Sequence, residues 1–209
     1  MYNLKYHKEN DLAEVNKFIN RYPFAFITGC SDNKPVATQI PVFIEERAGK
    51  KILSGHIMKN TDHHKAFMQN NQVLVVFTGH HTYVSGTWYS NPYTASTWNY
   101  MSVHIKGTIR FFEEDGLEKL IQKTSLHFEN YNRESTTVYE HLPAEFKKWA
   151  IQAIVGFEIE VDELDTVFKL SQDRDLESYR NIIEKLKDQD ESGRVIAAEM
   201  LKRTDQVFK

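Results

Sequence analysis

Between Val73 and Gly107 the chain reads VLVVFTGHHTYVSGTWYSNPYTASTWNYMSVHIKG, and no other stretch constrains the fold as tightly. Val73 to Phe77 is an unbroken apolar run, the pattern of a strand buried on both faces. Tyr100 to Ile109 alternates loosely, as a strand with one packed face does. The segment holds two Trp, four Tyr and three His. A connection that only turns the chain is rich in Gly, Asn and Asp. This one carries rings with polar handles and suits a flat, polar ligand.

The rest of the chain supplies more strands than helices. Asn10-Asp11 offers an N-cap for a helix carrying Leu12, Val15, Phe18, Ile19 and Tyr22, which Pro23 ends. Phe24 to Gly29 reads as a buried strand, and Ser31 to Lys34 as a tight turn into Pro35–Phe43. Ile40-Pro41 marks that strand as an edge, or as a place where the lost N–H faces a ligand. Lys51 to Ile57 is a further strand, and Thr61-Asp62 starts a short helix through Met68. Asp115 is expected to cap a helix running to Phe128, Glu129–Thr137 is expected to be loop, and Pro143 opens a helix ending near Trp149. Val155, Phe157, Ile159 and Val161 alternate as a half-exposed strand. From Asp175 the chain is helical, broken at Ser192-Gly193 before a last amphipathic helix. About seven strands in antiparallel order, with helices as decoration, point to a small β-barrel and not to a doubly wound parallel sheet.

At 209 residues with 41% hydrophobic and 26% charged residues, the chain is expected to form one ordinary soluble domain. No apolar run approaches the roughly 18 residues needed to span a bilayer, and no leader is visible, so a cytoplasmic location is expected. The single Cys30, in PFAFITGC, is expected to be a packed core thiol. A net charge of −3 argues mildly against nucleic-acid binding, which usually needs a basic excess. His63-His64 and His80-His81 are adjacent pairs, and neighbours on a strand or helix diverge too far to chelate one metal. No HExxH or Cys/His framework, P-loop, GxGxxG or GxSxG elbow occurs.

Three places carry ligand chemistry. PVATQIP is a strand of small residues that lets backbone approach a flat ring. SGHIMKNTDHHKA feeds a strand end into a helix N-terminus beside Lys59 and Asn60, where free N–H groups and a cation suit phosphate. KLSQDR gathers Lys169, Ser171, Gln172 and Arg174 within six residues. Its competing reading is a solvated strand-to-helix turn capped by Ser171 or Asp173.

In this order the three places resemble the PaiB-type family of FMN-binding split-barrel proteins, described as negative transcriptional regulators. The matching residues are Ala37-Thr38 and Pro41; Leu53, Gly55, His56 and Asn60; Phe77, Gly79, Tyr83, Ser85, Trp88 and Tyr89. They continue through Thr97-Trp98-Asn99-Tyr100, Val103-His104 and Gly107 to Lys169-Leu170-Ser171-Gln172 and Arg174. Asp173 stands where Asn is usual, Gly86-Thr87 where Pro-Ser is, and Met58-Lys59 where Ala-Arg is.

The resemblance implies a mainly β, α+β fold: a six-stranded antiparallel split β-barrel with C-terminal helices. Residues 1–174 would be the FMN-binding domain and 175–209 a helical extension packed on it. It implies a homodimer with FMN in clefts between subunits. Lys65 would hold the flavin phosphate with Asn60 and Thr61 in support. Thr38 and Ile40 would line the isoalloxazine through backbone groups, and His56 would sit near the ribityl chain or ring edge. Trp88, Asn99, Gln172 and Arg174 would be further candidates, donated by the partner subunit. Two functions stay open: a transcriptional regulator, with DNA as a partner that the charge pattern supports little, and a flavin-dependent oxidoreductase acting on a small molecule. For the second, His56 and Tyr83 are the nearest to an acid or base, and no catalytic residue is assigned.

Overall fold

A computed structural model describes residues 4–91 and 93–209, without the side chains of residues 114 and 115. Among the described residues seven strands, β1 (Phe24–Ser31), β2 (Lys34–Pro41), β3 (Phe43–Arg47), β4 (Lys50–Met58), β5 (Gln72–Val84), β6 (Thr97–Phe112) and β7 (Ile154–Lys169), are hydrogen-bonded in the order β2-β1-β5-β6-β7-β4-β3. The chain divides into two compact units, Met1–Tyr22 with Phe77–His104 and Asp165–Lys209, and Pro23–Val76 with Ile105–Leu164.

The second unit begins with two hairpins. Strands β1 (Phe24–Ser31) and β2 (Lys34–Pro41) pair from Phe24↔Pro41 to Ser31↔Lys34. Asp32 and Asn33 both take positive φ, 50° and 60°, as a two-residue turn matched to strand twist requires. Strands β3 (Phe43–Arg47) and β4 (Lys50–Met58) repeat the device at Ala48 and Gly49. Helix α2 (Asp62–Gln69) packs on β1, where the Cβ missing from Gly29 would lie 2.8 Å from Phe67 Cε1. Strand β4 also pairs with β7 (Ile154–Lys169), from Ile52↔Glu160 to Met58↔Ile154. Ala25, Ile27, Leu53, Val75, Ile105, Phe157 and Ile159 are sealed from solvent and form the core. Helices α3 (Glu114–Phe128) and α4 (Ala144–Ala153) complete the unit.

The first unit holds α1 (Leu12–Arg21), the end of β5 (Gln72–Val84), the start of β6 (Thr97–Phe112), the end of β7, and helices α5 (Leu176–Lys187) and α6 (Glu191–Val207). Asp11 caps α1 by accepting from Ala13 N at 2.8 Å. Phe18 of α1 meets Phe168 at 5.2 Å between ring centres, in the space left by Gly79. Buried Tyr179 donates to Met200 O at 2.8 Å and locks α5 to α6.

Several expectations need correction. Cys30 is exposed, because β1 alternates: Ala25 and Ile27 point inward while Phe24 and Phe26 lie 56% and 40% exposed. The run Val73–Phe77 also alternates, with Leu74 and Val76 half-buried. Strand β5 continues to Val84, so the aromatic connection shrinks to residues 85–96. The burial phase of β5 slips by one near Gly79-His80, as at a bulge, which hides the strand from a period-2 search. Ser192-Gly193 lies inside the first turn of α6, capped by Asp190 through Gly193 N at 2.9 Å; the break falls earlier. Helix α3 begins at Glu114, so Asp115 is not its N-cap, and α4 runs past Trp149 to Ala153. The strand count of about seven holds among the described residues, with β3, five residues long, at one end of the order beside β4.

Candidate functional site

Six of the expected ligand residues fall in the second unit. Strand β2 ends the hydrogen-bonded order, so among the described residues one edge of its backbone has no strand partner, and Thr38 and Ile40 on it are half-buried. Its C-terminal end approaches β4: a Cβ at Gly55 would stand 3.0 Å from Pro41 O and 2.7 Å from Phe157 Cζ. Only glycine allows this approach, and it brings the ATxxP strand against the LxGH strand. His56 follows Gly55 and pairs across with Gly156, whose missing side chain makes room for Phe112. Burial holds His56 below the usual imidazole pKa, so it is neutral near pH 7.

The turn after β4 is built from side-chain caps. Asn60 takes a left-handed φ of 62°, which Asn tolerates, and its N–H donates to His64 Nδ1 at 3.1 Å. That bond places the His64 proton on Nε2, and burial keeps this ring, too, below its usual pKa. Thr61 Oγ1 accepts from His64 N at 3.3 Å and donates to Met58 O at 3.1 Å. The Asp62 carboxylate accepts from His63 N at 2.7 Å. These caps correct the expectation of free amides: the N–H groups of His63 and His64 are already satisfied, so an anion here must be held by side chains. Lys59 pairs with Glu113 at 2.9 Å. Lys65 is exposed on α2 and makes no ion pair among the described residues, which leaves it available to a phosphate.

The other four expected residues lie in the first unit. Asn99 is fully buried; it accepts from Ser171 Oγ at 3.0 Å, and its amide meets Met200 Sδ at 3.5 Å. Gln172 closes its own turn, accepting from Leu170 N at 2.8 Å and donating to Phe168 O, and it bonds His7 Nδ1 at 2.9 Å. Arg174 lays its guanidinium over the Tyr89 ring at 4.6 Å and pairs with Asp173 at 3.6 Å. Trp88 fixes its turn through its carbonyl, which accepts from Asn181 Nδ2 at 2.7 Å. Neither expected cap of the KLSQDR turn is used: Asp175 caps α5 by accepting from Ser178 N at 2.8 Å.

The residues expected to contact a ligand therefore form two groups. Thr38, Ile40, His56, Asn60, Thr61 and Lys65 share one unit; Trp88, Asn99, Gln172 and Arg174 share the other. Tyr89 escaped the sequence reading as a site residue although it stands in the WY pair. Among the described residues its hydroxyl and Arg174 Nε are buried and make no hydrogen bond of good geometry, though the Arg174 guanidinium lies close enough to act on the hydroxyl, and burial pushes its phenol pKa up. The His pairs diverge as expected: His80 bonds Ser192 Oγ at 3.0 Å, whereas His81 is exposed against Trp98.

A family model described as "Putative FMN-binding domain" matches residues 1–163. Protease synthase and sporulation protein PAI 2 of Bacillus subtilis is 29% identical over 203 residues, covering 96% of each chain. Among solved structures, the flavocytochrome Anf3 from Azotobacter vinelandii aligns with a TM-score of 0.58 at 15% identity, covering 80% of this chain and 72% of that one. The FAD and heme binding protein from Mycobacterium smegmatis aligns at 0.54 and 16%, covering 78% and 73%. The likeness to both structures shows the fold, a split β-barrel.

Proposed function

We propose, from the premise that this chain belongs to the FMN-binding domain family, that it holds FMN at the junction of β2, β4 and α2. The observation that carries this reading is the approach of Pro41 O to Gly55, which sets an edge strand with open backbone groups beside His56 and the Asn60–Lys65 turn. FMN needs a flat slot, donors and acceptors for its ring, and a cationic end for its phosphate. Thr38 and Ile40 offer backbone groups to the ring, and neutral His56 offers one donor and one acceptor to the ribityl chain. Lys65 takes the phosphate, with the Asn60 amide beside it and Thr61 holding the turn in shape. Bound FMN supplies electron or hydride transfer; the protein residues bind and orient it. In a homodimer, Trp88 and Arg174 of one copy reach the flavin of the other, while Asn99 and Gln172 act by shaping the turn that carries Arg174.

A regulatory role of the PaiB type belongs to the same proposal. Exposed cations such as Lys50, Arg47 and Lys106 are paired with Glu160, Glu158 and Glu163. Such pairing makes these three cations poor partners for phosphates, and the regulation proposed here follows flavin occupancy. The exposed ring cluster around Trp98 favours a second reading, a flavin-dependent oxidoreductase acting on a small molecule.

The deciding measurement is the visible spectrum of the purified protein after FMN is added and excess removed. Retained flavin bands are expected; a colourless protein sinks the site. Salt-sensitive mobility shift of DNA by the pure protein would contradict indirect regulation. Anaerobic bleaching by NADH or NADPH separates a nicotinamide-driven reductase from a flavin that stays oxidised.

A further inference from the structure

The turn after β4 is held in part by one bond that a proton can break. Asn60 stands at a φ of 62°, a left-handed conformation that side-chain-bearing residues adopt at a cost. Its N–H donates to His64 Nδ1 at 3.1 Å, and the bond offsets part of that cost. The imidazole is only 7% exposed and stands edge-on to Phe111 at 4.9 Å, so it has little room to turn away. A ring nitrogen accepts a hydrogen bond only while it carries no proton. In the imidazolium both nitrogens are donors, and Nδ1–H would face Asn60 N–H across the same gap.

The other bonds of the turn do not share this weakness. Thr61 Oγ1 accepts from His64 N at 3.3 Å and donates to Met58 O at 3.1 Å, and Lys59 N donates to Ala153 O at 2.9 Å. None of these is a titrating group. They keep Met58, Lys59 and Thr61 in place, so the residue that protonation sets free is Asn60. The charges around the ring decide where the proton enters. His63 and Lys65 on α2 and Lys59 on the turn oppose a positive charge on His64, while Glu113, just after β6, favours one. Glu113 is already paired with Lys59 at 2.9 Å. Burial acts with the cations and is the largest influence, so the ring is neutral near pH 7 and takes its proton in the acid range.

We propose that His64 is a positioning residue and an acid-sensitive latch on the flavin-phosphate turn. Neutral, it holds Asn60 in the shape that receives the phosphate; protonated, it releases Asn60 and weakens FMN binding. This deepens the flavin reading and rests on it for the ligand, whereas the bond that opens belongs to the free chain. An imidazolium that touched the phosphate would instead tighten binding, so the sign of the pH effect decides.

The test compares the full chain with His64→Asn and His64→Leu between about pH 7.5 and 5, with FMN as titrant and flavin fluorescence as readout. Asn offers an acceptor oxygen near the place of Nδ1 and does not titrate; Leu offers none. The FMN phosphate also titrates, at a pKa of about 6, and His56 lies in the site, but all three proteins share both. On acidification the unaltered chain should lose roughly three- to tenfold more affinity than His64→Asn, the range of one net hydrogen bond. His64→Asn should bind FMN within a few-fold of the unaltered chain at neutral pH, and His64→Leu more weakly than His64→Asn at every pH.

Nitrogen-15 NMR of the free, unaltered chain gives a readout that needs neither flavin nor a variant. Nδ1 of His64 should be unprotonated at neutral pH, and the Asn60 amide signal should move in step with the His64 titration. By linkage, bound FMN should lower the pH at which His64 titrates. A His64 proton on Nδ1 at neutral pH, or an Asn60 signal indifferent to the titration, overturns the proposal. So do parallel pH curves for the unaltered chain and His64→Asn, or FMN binding that tightens on acidification. A chain that takes up no FMN at neutral pH sinks the flavin reading and the latch on it together. FMN taken up without the excess pH dependence sinks the latch alone.

Discussion

Ser171 donates its hydroxyl to Asn99 Oδ1 at 3.0 Å, joining two fully enclosed residues 72 positions apart. Ser171 also adopts a φ of 61°, so this bond helps to hold a backbone conformation that most side chains avoid. Replacing Asn99 by Ala leaves the serine hydroxyl without its partner in a buried site. We expect a loss of about 1–3 kcal/mol in urea unfolding. Ser171→Gly should cost less, since glycine relieves the backbone while the bond is lost. Equal costs would show that the hydrogen bond carries little.

The contact of Gly55 with Pro41 O and Phe157 is tight enough to read by mutation. A Cβ there, at 3.0 and 2.7 Å, must displace backbone on one side and a core ring on the other. Gly55→Ala is expected to destabilise the protein by about 1–3 kcal/mol and to reduce retained flavin. Unchanged stability together with unchanged flavin content would remove the packing argument for the site.

Burial keeps His56, His64, His7 and His104 below their usual pKa. An unfolded histidine titrates near 6.5, so below about that pH the unfolded chain binds more protons than the fold. Stability is therefore complete above about pH 6.5 and declines as pH falls toward the folded values. Urea titrations from about pH 7 to 5 should show this slope, and His56→Gln should make it shallower. A steeper or identical slope in the variant would mean that His56 is not held neutral by the fold.

Lys65 is the cation assigned to the phosphate. Lys65→Gln should raise the Kd for FMN by roughly ten- to a hundredfold, matching the loss of about 1.5–3 kcal/mol for a hydrogen bond to a charged group. The remaining affinity should depend less on salt. Lys59→Gln, whose cation already serves Glu113, should have the smaller effect. The reverse order would move the phosphate to Lys59.

Much of this was legible locally. Asp11 and Pro23 bound α1, Thr61 announces α2, and Asp32-Asn33 make their hairpin, because caps and positive-φ turns are chemistry of neighbours in sequence. Strand β5 was not, because its burial phase slips near Gly79 and its outward face carries the very rings that read as a loop. Cys30 was misread because Phe24 and Phe26 look like core on paper and instead face outward. The bond between Asn99 and Ser171 has no local signature; only the resemblance placed the two residues in one motif set. The satisfied amides of α2 were hidden for the opposite reason: Asp62, one residue past the cap, takes His63 N for itself.

Each of β5, β6 and β7 contributes residues to both compact units, so neither unit is a continuous stretch of chain. The first unit is assembled from three separate segments, the last of which is Asp165–Lys209. On the ribosome, α1 therefore waits for most of the chain before its partner α6 emerges. Such distant pairings slow folding and prolong exposure of strands such as β1 with its outward phenylalanines. Truncation at any point before α5 should yield an insoluble product and not a smaller working module.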